Sequence, residues 1–146
     1  MTSPEPYAPA VRSRFANPAH AGDLPPGYAV AAAAEAADGN GCRIRIVAAA
    51  GNGVVTALRF RCFGCPHLIA AAEAACETYE GRPAAALRAF ETQALMEELA
   101  VPVEKTGRIL LLEDALLALA GQLEKTEHGN ESEGKLTNDR DGDYTD

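Results

Sequence analysis

The sequence predicts an α+β fold: a small antiparallel β-sheet of about three strands with helices packed on one face. Three observations carry that expectation. Two stretches around a Gly-Asn-Gly turn alternate polar and apolar residues, and later stretches repeat apolar residues every three or four positions. The strand signals come first and the helix signals follow.

The elements read in order as follows. Residues 1–27 are punctuated by Pro4, Pro6, Pro9, Pro18, Pro25 and Pro26, which leaves room for one short helix near Ala8–Ala16, stopped by Asn17-Pro18. Tyr28–Ala37 is apolar and predicts a first strand, followed by a turn at Asp38-Gly39-Asn40-Gly41. Arg43–Val47 and Leu58–Cys62 alternate strictly, and Gly51-Asn52-Gly53 joins them as a hairpin. Period two places Ile44, Ile46, Leu58, Phe60 and Cys62 on the buried face and gathers Arg43, Arg45, Arg59 and Arg61 on the other.

A helix should begin at Pro66, whose missing N–H costs nothing at the first helical position, with Cys65 as its N-cap. It should run to about Tyr79 with Ile69, Ala72, Cys76 and Tyr79 along one stripe. Two short helices are predicted near Pro83–Phe90 and Thr92–Leu99. A last one is predicted over Arg108–Lys125, with Ile109, Leu112, Leu116, Leu119 and Leu123 facing inward. Residues 126–146 are polar and aperiodic and are expected to be a disordered tail. The division is therefore a Pro-rich segment over 1–27, a domain over 28–125 and an acidic tail.

The chain of 146 residues has a net charge of −8, and seven acids against Lys135 and Arg140 put five of those charges in the tail. Thirty alanines and no tryptophan predict a modest, closely packed core. The acidity argues against nucleic acid or an anionic membrane as partner. No apolar run approaches the ~20 residues of a membrane span, and no secretory pattern opens the chain, so a cytoplasmic protein is expected. No phosphate loop, nucleophile elbow or metalloprotease helix is present, which argues against an enzyme.

Cys42, Cys62, Cys65 and Cys76 in a chain without an export signal point to metal, sulfur chemistry or plain burial rather than a disulfide framework. Cys62 and Cys65 form a C-x-x-C with His67 close behind. The helix begins after the second cysteine, so the thioredoxin arrangement is not matched. Cys65, at a helix N-terminus, is expected to be the reactive, metal-competent thiol. Cys76 and Cys42 are expected to act as small buried hydrophobes. His67 would point about 200° away from a helical residue 65, so it reaches Cys65 only if Cys65 is non-helical. His20 and His128 are expected to be solvated.

The order of these pieces resembles the IscU and NifU N-terminal family of iron–sulfur cluster assembly scaffolds over roughly Tyr7–Lys125. The carrying residues are Phe15-Ala16-Asn17-Pro18 with Gly22, the run Ala57-Leu58-Arg59-Phe60-Arg61-Cys62-Phe63-Gly64-Cys65, Met96-Glu97-Glu98-Leu99, and Ile109-Leu110-Leu111-Leu112-Glu113-Asp114-Ala115. The family pattern uses three cysteines with an aspartate and a histidine. Cys65 matches the middle cysteine. Asp38-Gly39-Asn40 stands where the family has Cys-Gly-Asp, and Gly107-Arg108 where it has His-Cys. Val101-Pro102-Val103-Glu104-Lys105 replaces the co-chaperone segment Leu-Pro-Pro-Val-Lys, so co-chaperone recognition is not expected.

The resemblance implies a scaffold-like protein that accepts sulfur at Cys65 from a cysteine desulfurase. The alternative it implies is an iron–sulfur cluster or iron bound by Cys65 with Asp38 and His67, and Cys62 is a further candidate ligand from its place in the C-x-x-C. Asn40, Gly107 and Arg108 would adjoin the site, and Arg43, Arg45, Arg59 and Arg61 would dock a partner. Two other readings stand beside it: an adaptor or regulator that docks on the desulfurase machinery without a cluster, and a small zinc-binding protein.

Overall fold

The computed structural model of the chain describes residues 8–135, with side chains over 8–125. Helix α1 spans Pro9–Ala16, strands β1, β2 and β3 span Ala32–Ala37, Arg43–Gly51 and Val54–Phe63, and α2 spans Pro66–Tyr79. A 3-10 turn at Ala84–Ala89, helix α3 at Thr92–Leu99, a second 3-10 turn at Val103–Lys105 and helix α4 at Thr106–Lys135 complete the order. The three strands form one antiparallel sheet in the order β1-β2-β3. This is the α+β arrangement expected from the pattern.

The hairpin turns on Asn52 and Gly53, both at positive φ, the geometry of a two-residue turn whose twist suits antiparallel strands. Carried unbroken from Gly51 opposite Val54, that turn would set Ile46 against Arg59 and bury an arginine. A bulge between Ala49 and Ala50 shifts the register by one, so Ile46 meets Phe60 and Ile44 meets Cys62. The bulge is what lets one face be apolar along its whole length. Ile44, Ile46, Leu58 and Phe60 on that face are buried.

Helix α4 lies across β1 and β2, while α2 packs on β3 and α4, and α1 packs on α2. The predicted inner stripe of α4, from Ile109 to Leu123, is buried throughout. Each such leucine contributes roughly 1.5–3 kcal/mol by leaving water. Helix α2 departs from the one-stripe expectation. Ala70, Ala71, Ala72, Ala74 and Ala75 are all buried, because the helix has neighbours on several sides and alanine lets them approach. Among the described residues no helix is long and apolar enough to cross a membrane.

Helix α4 continues to Lys135 rather than ending near Lys125. No proline interrupts residues 106–135, and adding a residue to an existing helix costs little compared with starting one. Helix α4 thus runs into the segment expected to be a tail, and residues 136–146 lie outside the described residues. The side chain of His128 also lies outside them.

Each edge strand has hydrogen-bond partners outside the sheet, which limits pairing with another chain. On β1, the Gln122 amide of α4 accepts from the Ala33 N–H and donates to its carbonyl, at 3.0 and 2.7 Å. On β3, His20–Gly22 pairs in parallel with Phe60, and residues 81–84 pair with Val54 and Val55. Between those two segments the Leu58 N–H donates to the Glu80 carboxylate at 2.9 Å.

His20 is the clasp of this edge, which corrects the expectation that it is solvated. Its backbone N–H donates to Glu73 Oε1 at 2.8 Å, its Nδ1 lies 2.6 Å from Glu73 Oε2, and its Nε2 lies 3.1 Å from Glu80 Oε1. Glu73 is a carboxylate buried inside α2 and needs such a partner. The long-range contact between a Pro-rich segment and a helix carried no signal in the sequence.

Candidate functional site

Three passages of chain meet at one end of the sheet: the Asp38–Cys42 loop, the Phe63–Pro66 turn from β3 into α2, and the start of α4. A cleft of about 370 Å³ opens among them, lined by Asn40, Cys42, Cys65, His67, Lys105 and Arg108 with the intervening backbone.

Gly64 makes the approach possible. Its φ is +113°, and a Cβ there would fall 2.6 Å from the Gly41 carbonyl oxygen and 3.0 Å from Cys42 Cα and Sγ. Only glycine adopts that backbone and leaves that space. The adjoining loop is fixed by Asp38, whose Oδ1 accepts the N–H groups of Asn40 and Cys42 at 2.7 and 3.1 Å. The Asn40 hydrogen bond is the main reason the Asp38 carboxyl is held below its usual range.

Cys65 is the N-cap of α2 and is extended, with φ −125° and ψ 124°. This non-helical geometry lets His67 turn toward it, and Cys65 Sγ lies 4.0 Å from His67 Nδ1. From the first turn of α4, Arg108 Nη1 reaches to 3.9 Å of the same sulfur. The attraction of Cys65 is the largest of the influences that raise the Arg108 pKa, so this cation stays charged at any working pH. Burial lowers the His67 pKa, and the charges of Lys105 and Arg108 lower it further, so the ring is neutral at pH 7.

The pKa values of Cys62, Cys76 and Cys42 are all raised. Burial pushes Cys62 up to about 12, with Cys42 and Cys65 adding to it. Burial raises Cys76 well above the ordinary value, and Cys42 is raised by burial and by the Asp38 charge.

Of the expected ligand set, the structure brings Cys65 and His67 together. Asp38 turns its carboxylate into its own loop, and Cys62 packs against the core beside Ile44. Among the described residues no three His, Cys, Asp or Glu side chains gather as a group that could hold a metal ion. The described side chains alone do not supply the four ligands of a [2Fe–2S] cluster or of a structural zinc ion. Arg108 adds a cation where a ligand is expected. Gly107 carries no side chain into the site.

Two cleft residues were not foreseen. Lys105 arrives through the 3-10 turn before α4. Cys42 was expected only to fill space, and the signal that could have placed it is the hairpin register. With Arg43 opposite Phe63, Cys42 continues opposite Gly64, but only after the bulge is counted.

The arginine face is not uniform. Arg43 lies over the exposed Phe63 ring at 5.3 Å beside the cleft, and Arg45 and Arg61 form exposed pairs with Glu35 and Asp23. Arg59 differs, for it donates to the Leu58 carbonyl at 2.6 Å and to Glu80 at 2.8 Å and is largely buried. It belongs to the His20 clasp rather than to a free surface.

The model of the NifU-like N terminal domain matches residues 6–128 of the sequence. The chain belongs to that family. Its fold is similar to the N-terminal part of a nitrogen-fixing NifU-like protein from Brucella abortus, with a TM-score of 0.61 and 19% identity over 81% of this chain and 94% of the other. It is also similar to a putative iron–sulfur cluster assembly scaffold protein for the SUF system from the thermophile Fervidobacterium islandicum AW-1. There the TM-score is 0.62 and the identity 11%, over 78% of this chain and 96% of the other. No curated protein matches the sequence. The NifU-like match includes α1 and the His20 segment, consistent with the way the clasp ties that segment to α2 and β3.

Proposed function

We propose that this NifU-like chain serves iron–sulfur cluster assembly as a scaffold-like protein whose Cys65 accepts sulfur from a cysteine desulfurase. Family membership supports the assembly role. The observation that carries the site is the Cys65 sulfur held between the Arg108 guanidinium and the His67 ring at a helix N-terminus. The guanidinium and the helix terminus present positive charge to that sulfur, and the nucleophile in thiol exchange is the thiolate.

In the transfer, the Cys65 thiolate attacks the outer sulfur of the desulfurase persulfide. The donor's S–S bond breaks, its cysteine leaves as a thiolate, and Cys65 becomes a persulfide. Arg108 faces the negative charge before and after the step. The exposed Phe63 and Arg43, beside Gly64, offer the adjoining surface for an acidic donor face, with Arg45 and Arg61 at its margin. The transfer itself needs no iron, and the described side chains do not assemble a ligand set for it. That same observation favours, as a second reading, an adaptor that docks on the desulfurase and carries no cluster.

The test is to incubate the full chain with a cysteine desulfurase and radiolabelled cysteine under anaerobic conditions, then locate the label by peptide mass. Label should reach Cys65 in the native chain and in Cys76→Ser, and be lost in Cys65→Ser. Equal labelling of Cys65→Ser overturns the assignment and leaves the adaptor. Iron, sulfide and zinc analysis of the anaerobically purified chain separates the carriers of metal from the carrier of sulfur alone.

A further inference from the structure

We propose that Cys42 is the resolving thiol for Cys65: it attacks a Cys65 persulfide, releases sulfide and closes a Cys42–Cys65 disulfide. The inference rests on the reading that Cys65 accepts sulfur, and it assigns the fate of that sulfur within the chain.

The placement comes from the backbone. Cys42 continues the ladder opposite Gly64, immediately before Cys65, and its sulfur lies 3.0 Å from where a Gly64 Cβ would stand. Cys65 thus directly follows the glycine that Cys42 approaches, and a disulfide between them requires α-carbons within roughly 4.4–6.8 Å. Both thiols line the same cleft. Cys42 is held in place at both backbone groups, since its N–H donates to Asp38 Oδ1 and its carbonyl accepts the Asp38 N–H, each at 3.1 Å. Cys62 does not line the cleft and Cys76 sits in the core.

The step balances without an added oxidant. The Cys42 sulfur forms a bond to Cys65 Sγ as the Sγ–sulfane bond breaks, and the electron pair leaves with the terminal sulfur. The Cys42 proton ends on the departing hydrosulfide. The sulfane sulfur is reduced to sulfide and the two cysteines finish as a disulfide, which a dithiol reductant reopens. Sulfide is the oxidation level that iron–sulfur clusters contain. The pair would therefore convert a transferred sulfur into usable form without holding iron.

The test loads the reduced full chain with a small persulfide, cysteine persulfide, then desalts it and follows free sulfide and linked peptides. The native chain should release sulfide and show a Cys42–Cys65 disulfide by fragment-resolved mass. Cys42→Ser and Cys42→Ala should keep the Cys65 persulfide and release sulfide at least roughly tenfold more slowly. Two replacements guard against one that misfolds, with circular dichroism as the check. In parallel, diamide oxidation of the chain without sulfur should give the same Cys42–Cys65 link. Native and variant chains that hold the persulfide equally, or a link that maps to Cys62, overturn the resolving role and leave sulfur acceptance standing. Failure of every variant to take up sulfur at Cys65 overturns both.

Discussion

The Arg108 guanidinium lies 3.9 Å from the Cys65 sulfur, across 43 residues of chain. The contact joins the first turn of α4 to the N-cap of α2 and gives the thiol a fixed positive neighbour. Arg108→Gln should slow alkylation of Cys65 by neutral iodoacetamide roughly three- to tenfold, because the thiolate loses its counter-charge while side-chain bulk is kept. Arg108→Lys should recover part of the rate. An unchanged rate in Arg108→Gln would show that the helix terminus alone sets the reactivity.

The clasp between His20 and Glu73 predicts a stability effect far from the cleft. His20→Ala leaves the Glu73 carboxylate buried in α2 without its ring partner. Leaving a buried carboxylate short of a hydrogen-bond partner costs about 1–3 kcal/mol, and the urea midpoint should fall accordingly. Glu73→Gln keeps an acceptor for the His20 N–H and should cost less. The double replacement should cost less than the two singles together, because they share one contact. Strict additivity would dismiss the clasp.

Acid stability follows from Glu80. Its burial pushes the carboxyl pKa up, but hydrogen bonds from the Leu58 N–H, His20 and Arg59 outweigh that and hold it below its ordinary 4.5. A carboxyl depressed in the folded state binds fewer protons than in the unfolded chain. Its contribution is therefore complete above the unfolded value and is lost as pH falls through the folded one. Denaturant midpoints should drop below about pH 4.5, and Glu80→Gln should flatten that drop. A profile unaltered by Glu80→Gln would assign the acid sensitivity elsewhere.

Gly64 combines a positive φ with a close approach to neighbouring backbone. Gly64→Ala meets both a positive φ and the Gly41 carbonyl, so a loss of about 2 kcal/mol or more is expected. Gly51→Ala serves as the control, since a Cβ there has open space. Near-equal thermal midpoints for the two would show that the loop shifts freely. The cleft would then not be preorganised.

Sequence alone determined the elements, because each depended on near neighbours. Alternation in Arg43–Val47 and Leu58–Cys62 specified strands, Asn52-Gly53 specified their turn, Pro66 specified where α2 begins, and the leucine spacing specified the inner face of α4. It also placed Cys65 at the N-cap of α2, because Gly64 and Pro66 beside it are local signals. Tertiary structure decided which distant groups meet that sulfur. A single bulge near Ala49 sets Cys42 beside Gly64 rather than one position away, and no local pattern announces it. Packing of α4 across the sheet delivers Arg108, while the Asp38 carboxylate goes to its own loop and Cys62 to the core. His20 finds Glu73 only when the chain is closed. Periodicity reports which face an element buries, but side-chain chemistry in a cleft depends on register and docking. Those are set by many weak contacts between elements far apart in the chain.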